Sequence, residues 1–399
     1  MRLPGQADQH LTYCLNIHPG ETWSANLASI RTHALDVRDR VSHGRPFGLG
    51  MRLGAQAAAE LLHGNHLTEF KALLAEEDLY VFTINGFPYG PFHGTPVKQK
   101  VYAPDWRESA RVDYTCRLAD ILSQLLPDDV AGTISTVPGS YKSWITDARD
   151  EATMIENLVS VAGHLYQIHN EAGPRIELCL EPEPDCYLET SHEAIAFFNG
   201  PLFTQGVAQL DERFGCGDER AAEILRNHLG ICLDTCHMAL QFENPTQSLR
   251  AFQTHGIRVS KIQISAALEV TPRAQARARL KPFDEPVYLH QVKCSRNDAS
   301  ISSFPDLPHA LASKDSDAGE IWRIHFHVPL YWDGSGELAT THDGVDSEFF
   351  DAAREAGVEH LAIETYTFDV LPDELRDAGV SESIAREYDW VRSRINAPA

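Results

Sequence analysis

Eight short apolar runs, most of them separated by stretches with helical spacing, constrain this chain more than any other feature. "LTYCLNI" is followed by a segment in which Leu27, Ile30, Ala34, Val37 and Val41 share one helical face, and "PFGLGMRL" by an Ala- and Leu-rich stretch to about Glu77. "LYVFTING" leads through a long loop rich in Gly, Pro and Tyr to Leu118, Ile121, Leu122 and Leu125 at helical spacing, and "GTISTV" precedes a helix expected over roughly 153 to 172. "IELCLE", "GICLD", "VSKIQIS" and "HLAIE" complete the set. Runs of this length read as buried strands. Strands alternating with helices imply a parallel sheet joined by right-handed crossovers, and eight such units predict an α/β chain of the closed (β/α)8 TIM-barrel type. An open doubly wound sheet competes with it, but no GxGxxG follows the first strand.

The alternation breaks once. Roughly ninety residues separate "VSKIQIS" from "HLAIE", far more than one helix needs, and they hold two more strand-like runs, "PVYLHQVKC" and "WRIHFHVPLYW". The expectation is a single barrel domain over 1–399, with an insertion at approximately 268–335 on the C-terminal face between the seventh and eighth strands. Which of "VSKIQIS" and "WRIHFHVPL" is the seventh barrel strand stays open at this point.

Length and charge narrow the function classes. The 399 residues suffice for a large core, and Lys+Arg 34 against Asp+Glu 57 gives a formal charge of -23, which repels a phosphate backbone and argues against a nucleic-acid partner. The start, "MRLPGQADQHLTY", lacks the basic and apolar regions of a signal peptide, and no segment approaches the roughly 20 apolar residues that span a bilayer. The eight cysteines are scattered with no CxxC pair, which fits a reduced, cytoplasmic location better than a disulfide framework. The expected partner is a small-molecule metabolite, with no membrane; the oligomeric state is open.

Three of the apolar runs end in an acid: "ELCLEPEP" in Glu181, "GICLDTCH" in Asp234 and "HLAIETY" in Glu364. At one end of a barrel these carboxylates repel one another unless protons or a cation compensate them, and a metal ion does so. In "RIHFHV", His325 and His327 alternate with apolar residues, so on a strand both imidazoles share a face. His237 follows Asp234 by three residues. Carboxylates and imidazoles together suit a divalent ion of the Mn, Zn, Fe or Co kind, or Mg with less histidine. Each residue has a plainer role too. A strand-end Asp such as Asp234 is more often a helix N-cap, Glu183 reads as a solvated loop acid, and a lone strand histidine is more often a core residue than a ligand.

In this order, Glu181, Asp234-x-x-His237, His-Phe-His and Glu364 resemble the xylose-isomerase-like TIM barrels, a superfamily of sugar isomerases, epimerases and metal-dependent apurinic endonucleases. Long segments, among them "HLTYCLNIHPGETW", "LYVFTINGFPYGPFHG", "VYAPDWRESARVDYT", "LEPEPDCYLE" and "ETYTFDVLP", are similar to the metabolite traffic protein EboE family, linked to export or processing of secondary metabolites. The resemblance implies Glu181, Asp234, His327 and Glu364 as ligands of one divalent metal, with His237 beside the substrate. It also implies Glu181 and Glu364 as the catalytic pair that removes and returns a proton. The chain departs from the superfamily at "KIQISAA", where Gln263 and Ala266 stand in place of a His and an Asp. If that run is strand seven, His325 or His327 comes in from the insertion.

Polar residues after other strands are substrate candidates: Asn16 and His18, Arg52, Asn85 and Lys142, joined by His237, His325 and Gln263. Phe87, Tyr89 and Phe92 form an aromatic loop suited to a ring-shaped ligand. The expected function is a metal-dependent sugar isomerase or epimerase of a small metabolite. A non-catalytic metabolite carrier on a degenerate barrel is the alternative, and an abasic-site endonuclease is disfavoured by charge.

Overall fold

The computed structural model describes residues 1–3, 9–296, 300–313, 320–376 and 378–395. The barrel strands are β1 (His10–Tyr13), β2 (Phe47–Arg52), β3 (Leu79–Asn85), β4 (Gly132–Thr136), β5 (Ile176–Leu180), β6 (Leu229–Asp234), β7 (Val259–Ile264) and, after an insertion, β13 (His360–Ile363). Their order, β1-β13-β7-β6-β5-β4-β3-β2, is parallel throughout, and a parallel bridge between Cys14 and Gly50 brings β1 back to β2. The chain is thus a (β/α)8 barrel, and all eight apolar runs are its strands. "VSKIQIS" is the seventh. Helices such as Trp23–Ser29, Ser109–Ser123 and Ala148–Asn170 surround it. The last of these begins earlier than the apolar spacing predicts, because Asp147 and Asp150 form a capping box ahead of the first buried residue.

The insertion is a sheet of its own. β8 (Ala267–Val270), β9 (Val292–Ser295), β10 (Ile301–Phe304), β11 (Ile321–His327) and β12 (Leu338–Thr340) pair antiparallel in the order β10-β9-β11-β8-β12. It leaves the barrel straight after β7, so β11, carrying "WRIHFH", lies outside the eight-strand ring. A register shift in β11 between Ile324 and His327 marks where that strand reaches the barrel mouth. His325 N–H donates to the Gln291 carbonyl and Val328 N–H to that of Ala266, which ties this bend to both sheets.

The strands bury both faces, but the inside of the ring is polar. Thr133 bonds both Thr83 and His360 at 2.8 Å. One layer higher, Lys261 donates to Ser135 at 3.2 Å, and the Cys232 thiol donates to Gln263 at 2.7 Å. Period two puts one set of residues on the helices and the other into the ring. Side chains as small as Ser, Thr and Cys fit there and pair with one another. Among the described residues no helix is long and apolar enough to cross a membrane, and all eight cysteines are free thiols.

Closure depends on a glycine. A Cβ on Gly50 would sit 2.7 Å from the Tyr13 carbonyl oxygen and 2.8 Å from Thr12 Cγ2, so β1 packs directly on this backbone. Gly50→Ala is expected to cost about 1–3 kcal/mol in urea unfolding, the cost of forcing atoms into a filled seam. An unchanged midpoint would remove the seam from the account. On the helix Val380–Ile395, the buried Glu387 accepts from Leu330 N–H at 3.1 Å and Thr365 hydroxyl at 2.6 Å, joining the insertion's exit to the end of the barrel. Burial raises its carboxyl from 4.5 to about 7 against these two bonds. The folded state therefore keeps a proton that the unfolded chain loses, and stability present below pH 4.5 falls as the pH rises through about 7. The gap between unfolding midpoints at about pH 5 and about pH 8 should narrow in Glu387→Gln.

Candidate metal and substrate site

The three strand-end acids converge. Glu181 follows β5, Asp234 ends β6 and Glu364 follows β13, and all three are buried. Asp234 performs the capping role and leaves one oxygen over. Its Oδ1 caps the helix Thr235–Leu240 by accepting from Cys236 N–H at 2.8 Å and His237 N–H at 3.0 Å, and also takes the Ser265 hydroxyl at 2.7 Å. Its Oδ2 is buried without a hydrogen-bond partner, and so is Oε2 of Glu181. Glu364 is different: Asn16 donates to its Oε1 at 2.6 Å and Asn85 at 3.2 Å, while Gln263 donates to its Oε2.

Charge is badly balanced here. Burial, and then the neighbouring Glu364 and Asp234, push the Glu181 carboxyl well above its ordinary value, and burial with Asp234 raises Glu364. Glu183, expected to be a solvated loop acid, is instead buried, and its Oε1 accepts from the Tyr102 hydroxyl at 3.1 Å. The Pro-flanked turn folds inward over the mouth rather than out to water. Against these acids stands one buried ammonium inside the ring, Lys261. Burial opposes its charge, yet Cys232, Cys14, Glu181 and Glu364 hold it above its ordinary value.

Three imidazoles complete the cluster. His237 lies on the first turn after β6, with its ring centroid 4.9 Å from that of His325 and 5.8 Å from that of His327. Burial, with His327 beside it, lowers His237 to about 3, and burial beside His237 lowers His325 well below its ordinary value. Both rings are neutral. Nε2 of His327 is buried without a partner. Ligand atoms of His237, His325 and His327, of Glu181, Asp234 and His237, and of Asp234, Cys236 and His327 lie within 4.8 Å of one another in each set. Partnerless carboxylate and imidazole atoms in one buried place fit a divalent ion. None of the three sets includes Glu364, whose oxygens are already taken by amides.

Above the acids lies a narrow cleft. Asn16, Asn85, Glu181, His237, His325 and Glu364 reach it, and Phe87, Phe92, Tyr102, Tyr288 and Tyr366 form much of its wall. The other expected substrate residues lie elsewhere. His18 bonds the Tyr13 hydroxyl at 3.0 Å and stacks on His33 behind the mouth. Lys142 is half-exposed and ion-paired with Glu189 at 2.8 Å and Glu193 at 3.0 Å, because its loop turns outward after β4. Gln263 sits inside the ring beneath Glu364. Arg52 ties two loops, donating to the Gly90 carbonyl at 2.6 Å and pairing with Glu21. Tyr89 packs on Tyr114 rather than over the cleft.

Lys261, Tyr102, Tyr288, Gln291 and Tyr366 carry no local motif. Only Lys261 has a sequence signal: a lysine two residues before Gln263 in the same strand shares its inward face.

Fold and site together define a (β/α)8 barrel with a buried carboxylate–imidazole cluster at its C-terminal mouth. No family model and no curated protein sequence matches the chain. Among solved structures it is similar to the probable 3-DHS dehydratase AsbF of Bacillus anthracis, at 12% identity over 97% of this chain and 99% of that one, TM-score 0.48. It is also similar to the IOLI protein with a bound zinc atom, at 15% identity over 97% and 99% of the chains, TM-score 0.48. A xylose isomerase domain protein of Alicyclobacillus acidocaldarius gives 11% identity over 97% and 98%, TM-score 0.44. The barrel assignment rests on the strand pairing itself, not on these likenesses.

The unpaired Glu181 and Asp234 oxygens make the metal-free site costly. In chelator, Glu181→Gln should raise the melting temperature by removing one buried like charge. A divalent ion at about 100 times its Kd should stabilise the unsubstituted protein by about 2.7 kcal/mol, and the variant by clearly less. Equal gains in both would separate Glu181 from the ion.

Proposed function

We propose that the chain is a divalent-metal-dependent isomerase or epimerase of the xylose-isomerase-like kind, acting on a small hydroxylated, carbonyl-bearing metabolite with a ring or other apolar part. One observation carries the reading: Glu181 Oε2, Asp234 Oδ2 and His327 Nε2 are buried without partners at the C-terminal mouth of a barrel, the end where such barrels place their chemistry. Glu181, Asp234 and the imidazole cluster that includes His327 hold the ion, with Glu364 beside them. When bound, the ion supplies Lewis acidity to a substrate oxygen.

The rest is done by the chain. Asn16 and Asn85 reach the cleft and orient Glu364, while Gln263 holds its second oxygen from below. Glu181 and Glu364, two of the three acids that line the cleft, take and return a proton at the carbon beside the carbonyl. The aromatic wall shields that carbon from water and receives the apolar part of the substrate. A role in secondary-metabolite traffic or processing, a cytoplasmic location and the absence of a nucleic-acid partner belong to the same proposal. The charge of -23 and the free thiols support the last two.

A second reading, a non-catalytic metabolite carrier, is favoured by the three amide bonds that occupy Glu364. Metal-loaded protein in deuterated water, given a panel of ketoses and ring-bearing hydroxyketones, separates the two. Isomerisation with deuterium entering beside the carbonyl is expected, falling by at least about 100-fold in Glu181→Gln. Tight binding with neither product nor exchange would make the chain a carrier, and nicking of abasic plasmid would replace both readings.

A further inference from the structure

His237 and His325 face the cleft, yet their hydrogen bonding is not that of residues kept free for a substrate. Nδ1 of His237 lies 3.1 Å from the Pro182 carbonyl oxygen, and a carbonyl only accepts, so Nδ1 carries the ring proton. Nδ1 of His325 lies 2.8 Å from Gln291 Oε1. That amide has one orientation: its Nε2 donates to the Pro184 carbonyl at 3.1 Å and to the Tyr102 hydroxyl at 3.0 Å, so the oxygen must face His325 and accept. His327 donates from Nδ1 to the Glu364 carbonyl at 2.8 Å. Each ring therefore has its Nδ1–H directed to an outer acceptor, which leaves Nε2 as the nitrogen available to a ligand.

Those nitrogens point at one another. Nε2 of His237 and Nε2 of His325 are 3.2 Å apart with no proton assigned between them. Nε2 of His327 has no partner, and ligand atoms of the three rings lie within 4.8 Å of one another. Two imidazole nitrogens each about 2.05 Å from one ion, at a tetrahedral angle, are about 3.3 Å apart. Rings anchored through Nδ1 to carbonyls and amides are the usual support of a histidine ligand.

We propose that His237, His325 and His327 form a three-imidazole site for a borderline divalent ion of the zinc kind. On this assignment His325, supplied by the inserted sheet, sets the metal preference against magnesium. The inference shares His327 with the metal-dependent reading above, but it concerns which ion binds and through which atoms, not whether turnover occurs.

Metal-stripped full-length protein loaded with zinc tests it, with X-ray absorption at the zinc edge counting imidazoles in the first shell. Three imidazoles are expected, and magnesium in about 1,000-fold excess should not displace the zinc. His325→Gln should remove one imidazole and weaken zinc binding at least about tenfold in chelator competition. An oxygen-only shell, displacement by magnesium, or a zinc affinity untouched by His325→Gln overturns the proposal. So does failure to bind zinc with His237 and His325 sharing a proton in nitrogen NMR. If His325→Gln does not fold, the spectrum of the unsubstituted protein decides. Three imidazoles on zinc without turnover would sink the isomerase reading alone, whereas turnover with an oxygen-only shell would sink this one alone.

Discussion

Buried negative charge at the mouth of a closed ring is the constraint around which this molecule is arranged. Glu181, Glu183, Asp234 and Glu364 are all out of water, and among the described residues the ammonium set against them inside the ring is that of Lys261. Carboxylates in such surroundings survive by protonation, by hydrogen-bond donors or by a cation. Donors serve two of the four. Glu364 has amide donors, Glu183 has a phenol, and Glu181 and Asp234 keep one oxygen each with no partner at all.

The inserted sheet makes sense in this light. β7 carries Gln263 on its inward face, and this amide serves Glu364 from below instead of reaching the mouth. The imidazoles come from β11, outside the ring, through a strand whose register slips just before His327. Arg323 braces the approach by donating to the Ala239 carbonyl at 2.7 Å, fastening β11 to the helix that bears His237. An antiparallel sheet thus brings two imidazoles to the barrel mouth, and the same insertion contributes Gln291 and Tyr288 to the surroundings of the cleft.

Polar groups inside the ring explain why the strand runs looked simpler than they are. Thr83, Thr133, Ser135, Cys179 and Cys232 are small enough to pass for filler in an apolar run, yet most are bonded to one another or to Lys261 and Gln263. Glu183 departs from its expected place for a related reason: a Pro-flanked acid normally means solvent, but Tyr102, about eighty residues away along the chain, covers it.

What the sequence determined alone is the ring and its acids. Periods of two and of 3.6 residues follow from backbone geometry, so eight strands, their order and the carboxylates at their ends could be read locally. Tertiary structure decided what those acids meet. Whether Lys142 turns outward, whether Gln263 lies beneath Glu364, and whether two histidines on an inserted strand reach a third on the barrel all depend on contacts between distant segments. Such contacts are set by loop paths and packing, which leave no period in the chain.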